Sequence, residues 1–368
     1  MPLESRVAEV ACALCAEPPS HFVVVGVLSS RERFTNRQII RQTWGRVLRD
    51  QQQTSLLFFL CRHLRFASGQ MSEGFLDLVV ENEQALYGDI VELDCQEEYR
   101  ALTWKSMLLY DWLDRNSQAQ YFMRVDDDVY LRPLPLLEQL RQRTPVRYWW
   151  GSFSHFSWVV RNETDWKHYN DPEDQQMTFS KAEYFPMYAR GPLMVMSMDL
   201  ISLIVQRFRE GDSWSAFPDD SALGVSVLQL LGERGTFVNV DDRDKNRLSL
   251  NPYCKHGFSP LTTHTWAVHH VSPRQVHCMF QRDLEEGYYE QAEPLVPEYV
   301  LEALDTSREV EVQIKYLSEA GPMPGPVTVR RRRRNGFPDL CPCATSEEEE
   351  DPGDGREKEV YDPNNIMP

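Results

Sequence analysis

The sequence lacks long apolar runs and has fewer basic than acidic residues, 39 Lys and Arg against 56 Asp and Glu. No stretch of the 368 residues reaches the roughly 18 to 20 apolar residues that span a bilayer. The apolar residues 10–16 are too few to span a membrane. Because no basic region precedes them, they are also a poor match to a signal peptide. We therefore expect a soluble chain or one that starts downstream of a membrane anchor. The net charge of −17 argues against nucleic acid as a partner, because binding of its phosphates needs a basic surface.

The cysteine pairs Cys12/Cys15 and Cys341/Cys343 lie near opposite ends of the chain, without the further histidine or cysteine partners that a zinc site needs. The eight cysteines of the chain are Cys12, Cys15, Cys61, Cys95, Cys254, Cys278, Cys341 and Cys343. Cys254 and Cys278 flank a histidine-rich segment and are candidates for a disulfide in an oxidising compartment. Cys61 and Cys95 are expected to be buried thiols.

Strand and helix patterns alternate along the first part of the chain, and the composition, with nine Trp and fifteen Tyr, is typical of a folded enzyme. Apolar runs predict strands at residues 22–28, 56–60, 90–93 and 121–125. Helices are predicted at 35–50, 75–87 and 103–115. This alternation indicates an α/β fold with a mainly parallel central sheet. Ligands of such sheets bind at the carboxyl ends of the strands.

The pattern is less regular in the second half of the chain. It predicts a strand at 148–151, a strand-to-helix segment at 194–208 and a helix at 221–231. Beyond residue 320, Pro and Gly are followed by an arginine run and an acidic run, which predicts a disordered charged tail. We expect an N-terminal segment (1–19), a catalytic domain (20–285), a peripheral helical extension (286–320) and this tail (321–368).

Three aspartates, Asp126, Asp127 and Asp128, follow the predicted strand at 121–125. In an extended chain alternate side chains share a face, so Asp126 and Asp128 would point the same way. Two carboxylates on one face suit a hard divalent cation such as Mg²⁺ or Mn²⁺. A solvated acidic turn is the alternative for such a motif on its own.

Five segments, taken in order, resemble the inverting β-1,3-glycosyltransferases, the β-1,3-galactosyltransferase family. They are residues 37–44, 87–91 with 98–105, 126–129, 184–191 and 217–224. The resemblance covers residues 20–280, and within the family residues 148–154 are most similar to the galactosyltransferases of the proteoglycan linker. It implies a GT-A (Rossmann-like) fold, a UDP-sugar donor, Mn²⁺, inversion at the anomeric carbon and a place in the Golgi lumen or membrane.

The resemblance assigns the aspartates to the metal and to UDP. Asp128 is then the first metal ligand and Asp126 the second, while Asp126 and Asp127 also contact UDP. A late histidine often completes the coordination in GT-A enzymes, and His270 is preferred here over His269. The alternative is a pair of surface histidines.

Asp220 matches the catalytic base of the family. Inversion needs a carboxylate opposite the leaving group that deprotonates the acceptor hydroxyl. The alternative for Asp219 and Asp220 is capping of the helix that follows, since acidic side chains favour that end. The two roles are compatible.

Three further residues are assigned to the donor site. Arg37 and Arg41 lie one helical turn apart, near the nucleotide in the family, and could neutralise phosphate; exposed helix charges are the alternative. The family's glycine run is reduced here to Gly191, which allows close approach of the backbone to a ligand. Trp44 and Trp104 are expected in the core.

The expected activity is transfer of a hexose, galactose before an N-acetylhexosamine, from a UDP-sugar to a glycan hydroxyl in β-1,3 linkage during protein glycosylation. One alternative is a phosphatase of the haloacid dehalogenase type, although Tyr130 stands where that motif has Thr or Val. The other is a non-catalytic family member that binds a glycan or a partner protein.

Overall fold

The structure is a computed structural model that describes residues 21–64, 73–162, 169, 182–211, 218–232, 237–250 and 261–289. The strands are β1 (Val23–Leu28), β2 (Thr54–Leu64), β3 (Ile90–Glu97), β4 (Tyr121–Asp126), β5 (Tyr130–Leu131), β6 (Tyr148–Ser154), β7 (Tyr188–Ser197), β8 (Asn239–Asp241), β9 (Leu248–Ser249) and β10 (Ala267–Val268). The helices are α1 (Phe34–Gln42), α2 (Trp44–Arg49), α3 (Glu73–Tyr87), α4 (Leu102–Asn116), α5 (Pro133–Arg141), α6 (Met198–Arg209), α7 (Asp219–Leu231) and α8 (Pro273–Glu285).

The central sheet has seven strands in the order β3-β2-β1-β4-β7-β6-β8. The first four run parallel to one another, β7 is antiparallel to both β4 and β6, and β8 is parallel to β6. The predicted α/β class with a mostly parallel sheet is confirmed. Because β7 opposes β4, the start of β7 lies at the same edge of the sheet as the carboxyl ends of β1 and β4.

Hydrophobic side chains cover both faces of this sheet. Every residue of β1 is buried, with alternate residues contributing to two separate clusters. One cluster holds apolar residues of α1, α2, α5 and α8, and the other holds those of α4, α6 and α7. The burial of both faces explains why the parallel strands read as continuous apolar runs. Within the described ranges, no helix combines the length and apolar character needed to cross a bilayer.

The helix predicted at 35–50 is interrupted at Thr43. The backbone of Thr43 leaves the helical region, with φ −110° and ψ −117°, and its hydroxyl donates to Ile39 O at 2.6 Å. Two short helices, α1 and α2, result. Local competition of a Thr side chain for backbone groups is the physical cause.

α8 was not predicted as a separate helix, although its start carries a clear signal. Ser272 and Gln275 form a capping box at this end, in which each side chain bonds the backbone of the other. The extension expected at 286–320 lies largely, and the tail at 321–368 entirely, outside the described residues. Those two expectations therefore remain predictions.

The expectation of buried thiols at Cys61 and Cys95 is wrong, because the two form a disulfide. They lie on the neighbouring strands β2 and β3 with their Cα atoms 4.9 Å apart, within the range that a disulfide bridges. The pairing considered for Cys254 and Cys278 involves Cys254, which lies outside the described residues.

α7 packs closely against the start of β7 at Gly224. A Cβ atom on Gly224 would lie 2.8 Å from both Met187 O and Tyr188 Cβ. We expect Gly224→Ala to lower the free energy of unfolding by about 1–3 kcal/mol, since overpacking outweighs the better helix propensity of alanine. Chemical denaturation measures this. Gly74→Ala in α3 is the matched control, because a Cβ there meets nothing within 4 Å; equal stability changes in both variants would contradict the expectation.

Candidate active site

The aspartate triplet forms a turn at the carboxyl end of β4. β4 ends at Asp126, and Val129 N donates to Asp126 O at 3.3 Å to close the turn. The strand alternation therefore does not reach Asp128, and the argument that Asp126 and Asp128 share a strand face is wrong. Burial raises the pKa of Asp126, and the charge of Asp128 adds to the rise.

Asp127 is tied to the segment that follows β1. Its Oδ2 accepts from Ser29 Oγ at 2.7 Å, and its carbonyl accepts from Asn36 Nδ2 at 3.2 Å. Arg33 Nη1 lies 3.6 Å from Asp127 Oδ1 on a half-exposed side chain. Burial raises the pKa of Asp127 to about 6. Arg33 is a cation at this turn that the sequence reasoning missed.

A second, small sheet brings two histidines to the turn. β10 pairs with β5 and with β9, and Val271 N donates to Asp128 O at 3.0 Å. His269 Nε2 then lies 3.2 Å from Asp128 Oδ1, and His270 Nδ1 lies 3.5 Å from Asp128 Oδ2. The ligand atoms of these three side chains lie within 4.8 Å of one another. This spacing could hold a metal ion.

His269 is oriented more firmly than His270. Its Nδ1 lies 3.0 Å from the carbonyl of Leu250, which can only accept, so Nδ1 carries the hydrogen and Nε2 faces Asp128. A backbone partner of this kind is typical of metal-binding histidines. His269 is 8% exposed, whereas His270 is more open and has φ +58°. Burial by itself would raise the pKa of Asp128. The hydrogen bond with His269 acts in the opposite direction, and the pKa of Asp128 is lowered overall.

Asp220 lies in the first turn of α7, at the start of β7. Its Oδ2 accepts from Gly191 N at 3.0 Å and its Oδ1 from Ser221 N at 2.8 Å. Burial, and then the neighbouring Asp219 carboxylate, raise the pKa of Asp220 to about 6. A carboxylate held by two N–H groups, with a pKa near neutrality, has the properties of a general base.

Arg124 connects the two acidic groups. This buried side chain in β4 forms an ion pair with Asp219, and its Nη2 lies 3.6 Å from Asp126 Oδ1. Ser106 Oγ donates to the same Asp219 carboxylate at 2.7 Å. The charged residue in an otherwise apolar strand was the available sequence signal for this contact.

Arg37 and Arg41 are neither exposed nor directed at the aspartate turn. Both guanidinium groups are buried against Glu83, and Arg41 also pairs with Asp89 at 2.7 Å. Arg37 reaches the site indirectly, since its Nη1 lies 3.3 Å from Ser29 Oγ. The structure therefore gives both arginines the job of fixing α1 to α3, because a buried carboxylate such as Glu83 requires a cationic partner.

Gly191 and Trp44 lie where the sequence predicts them, whereas Trp104 does not. Gly191 is at the site, where a Cβ atom would lie 3.3 Å from Arg124 Nη2. Trp44 is buried as expected, but Trp104 is half exposed and packs edge-on against Phe208, so its assignment to the core is wrong.

Comparison with known proteins identifies similar chains. A family model described as galactosyltransferase matches residues 35–231. A beta-1,3-galactosyltransferase of Arabidopsis thaliana is 23% identical over 269 residues, which are 71% of this chain and 37% of the relative. A probable beta-1,3-galactosyltransferase of the same plant is 26% identical over 250 residues, 66% and 60% of the two chains.

A third relative carries a different transfer name. The UDP-GlcNAc:betaGal beta-1,3-N-acetylglucosaminyltransferase 7 of Rattus norvegicus is 32% identical over 221 residues, which are 58% of this chain and 51% of the relative. The chain thus spans between 37% and 60% of the length of these relatives. The family match includes the aspartate turn, Gly191 and Asp220, and it ends before the histidine pair.

Proposed function

Because this chain belongs to the galactosyltransferase family, we propose that it is a hexosyltransferase that moves galactose from a UDP-sugar to a glycan hydroxyl in β-1,3 linkage, in protein glycosylation. An N-acetylhexosamine is the second choice of donor sugar, in line with the name of the rat relative. The proposal is carried by one observation: the Asp128–histidine group and the Asp220 carboxylate lie at the same edge of the sheet, and Arg124 pairs with a neighbour of each, Asp126 and Asp219. The proposed architecture is GT-A.

Asp128, His269 and His270 would hold the metal, with Asp126 beside them. Carboxylate oxygens and imidazole nitrogens at this spacing fit a divalent cation, for which we propose Mn²⁺ with Mg²⁺ as the alternative. When bound, such a cation offsets the charge of the departing diphosphate. Arg33, near Asp127, adds positive charge at the same place. An acidic protein needs this local compensation to bind a nucleotide.

Asp220 would accept the proton of the acceptor hydroxyl. The hydroxyl oxygen then forms the new bond to the anomeric carbon, while the bond from that carbon to the UDP oxygen breaks and its electron pair leaves with UDP. Attack from the side opposite UDP inverts the anomeric centre. Each Asp220 oxygen accepts one hydrogen bond from a backbone N–H group. These bonds hold the carboxylate in place, and the backbone groups do not transfer a proton to it.

The Cys61–Cys95 disulfide supports a place in an oxidising compartment such as the Golgi lumen. Disulfides persist in secretory compartments and are rare in the cytosol, where thiols are kept reduced.

The second candidate is a non-catalytic family member that binds a glycan or a partner. Its support is the shortened glycine run, of which Gly191 remains. The contact of Gly191 N with Asp220 favours the enzyme, because this backbone N–H holds the proposed base. Membership of the galactosyltransferase family overturns the phosphatase alternative.

A donor screen tests the proposal. The wild-type chain is assayed for transfer from UDP-galactose, UDP-N-acetylglucosamine and UDP-N-acetylgalactosamine to methyl β-glycosides, with Mn²⁺ and with EDTA. We expect metal-dependent release of UDP and a β-1,3-linked product by NMR. Binding of glycosides without turnover of any donor would support the non-catalytic candidate.

The pH dependence of transfer follows from the pKa of Asp220, which is raised to about 6. Only the ionised carboxylate accepts a proton, so we expect kcat/KM to rise with pH and reach half its plateau near pH 6. Measurement from about pH 4.5 to about pH 8 at saturating metal covers this range. UDP binding is followed over the same range to separate loss of donor binding. Activity that stays constant down to pH 5 would contradict the role of Asp220.

A further inference from the structure

Three neighbouring aromatic side chains, the exposed Phe156 and Trp158 and the partly buried Tyr184, have no role in the proposed reaction. Phe156 is 80% exposed and Trp158 is 62% exposed. The Trp158 and Tyr184 rings lie 4.3 Å apart, and Phe156 meets Tyr184 edge-on at 6.4 Å. We call these three residues the aromatic cluster. Single exposed apolar residues are common, whereas contiguous ones mark a binding surface.

The backbone at Phe156 also points to a function. Its φ is +58°, a left-handed conformation that bulky residues rarely adopt. The exposed ring gains little from burial that would offset the strain. Such a conformation is a reason to look for a functional role of the side chain.

The two chain segments that carry Trp158 and Tyr184 are paired with each other. A bridge joins Trp158 to Tyr184, with backbone hydrogen bonds of 3.0 and 2.8 Å on either side of it. Side chains alternate along such paired segments, so the neighbours Val159 and Phe185 face the other way and are buried. Trp158 and Tyr184 are therefore held on the outer face of a supported pair of segments.

The support for these segments is α7, the helix that carries Asp220. Val159 and Phe185 pack against Ala222 and Val225, which lie in the first two turns of α7. A second contact runs along the surface, where Tyr188 donates to Ser157 Oγ at 3.1 Å. Burial, with the charge of Asp220 contributing, raises the pKa of Tyr188. The segments of the aromatic cluster are thus packed on the two turns of α7 that begin with Asp219 and Asp220.

The aromatic cluster is attached to the side of the sheet away from the proposed donor site. Its segments adjoin β6 and β7, while the side chains that hold Asp127 follow β1. In the sheet order, β4 separates β1 from β7 and β6. The aromatic cluster thus lies on the side of β4 that carries Asp220, and not on the side of β1.

We propose that the aromatic cluster binds a pyranose ring of the acceptor glycan, adjacent to the sugar whose hydroxyl faces Asp220. The inference rests on the proposed function. Pyranose rings present apolar C–H faces, and aromatic rings have electron-rich faces that attract such positive hydrogens. Trp158 has the largest ring of the three and is exposed.

The test compares Trp158→Ala with Trp158→Phe. We expect Trp158→Ala to raise the acceptor KM roughly tenfold, equivalent to about 1.4 kcal/mol. Trp158→Phe should restore most of the affinity, and the donor KM and the rate of UDP-sugar hydrolysis should not change. Phe237→Ala is the matched control, since Phe237 is also exposed but packs on Arg147 at the opposite edge of the sheet. Thermal melts confirm folding of each variant.

Several outcomes would overturn the inference. These are an unchanged acceptor KM in Trp158→Ala, a raised donor KM instead, or a dimer that dissociates in the variant and so shows a second copy on the aromatic cluster. Binding of methyl β-galactoside by saturation-transfer NMR, in wild type and variant, gives a readout independent of turnover. A wild type that binds methyl β-galactoside through Trp158 but turns over no donor would contradict the proposed function and keep this inference.

Discussion

Asp220→Asn is expected to reduce glycosyl transfer by about 10²- to 10⁴-fold, the usual contribution of a general base. The amide keeps the size of the side chain and can still accept from Gly191 N, but it cannot take the acceptor proton. The loss should appear in kcat, because the proposed role of Asp220 is to act on the reacting hydroxyl. Initial-rate measurements at saturating donor and metal show this directly.

Two measurements separate a chemical effect from a structural one. UDP affinity in the presence of Mn²⁺ should be unchanged in Asp220→Asn, since the aspartate turn is built from other residues. Asp94→Asn is the matched control, because it removes the charge of an aspartate that is 83% exposed. An Asp220→Asn enzyme with full activity would show that the proton goes elsewhere.

Asp128→Asn is expected to reduce transfer at least about 100-fold. Loss of a residue that only hydrogen-bonds to a metal ligand already lowers metal affinity or activity about 10- to 100-fold, and Asp128 is a proposed ligand itself. Asp128 contacts both His269 and His270 and is the carboxylate of this three-residue group. Titration of the protein with Mn²⁺, followed by the EPR signal of the free ion, measures the metal affinity without turnover. Normal Mn²⁺ binding by the variant would place the metal elsewhere.

The two histidines provide an internal comparison. His269 is buried and fixed by Leu250 O, whereas His270 is 65% exposed, so we expect His269→Ala to weaken Mn²⁺ binding more than His270→Ala does. A larger effect at His270 would restore the preference derived from sequence.

The sequence was sufficient to predict the α/β class, and the residues near the ends of β4 and the start of α7. These predictions succeed because a buried parallel strand is a continuous apolar run, and the acidic residues that follow it are then placed at the edge of the sheet. The direction of Asp128 was beyond this reasoning, since a turn has no fixed side-chain period. Only the structure shows the hydrogen-bonded turn from Asp126 to Val129.

Long-range partners account for the other misses. Helical spacing placed Arg37 and Arg41 on one face, but it could not show that Glu83 covers that face. The Cys61–Cys95 disulfide depends on the pairing of β2 with β3, which single-strand patterns do not contain. In both cases the partner lies more than thirty residues away.

The reversed direction of β7 has a consequence for engineering. The aspartate turn is supported from β1 and β10, whereas Asp220 and the surface around it are supported from β7 and α7. A mutant library confined to Phe156, Trp158 and Tyr184 would therefore vary the proposed acceptor contacts while leaving the proposed cation centre intact. Arg124 touches both supports and is best held constant in such a library. Selection for new acceptors can then proceed on one segment of the gene at a time.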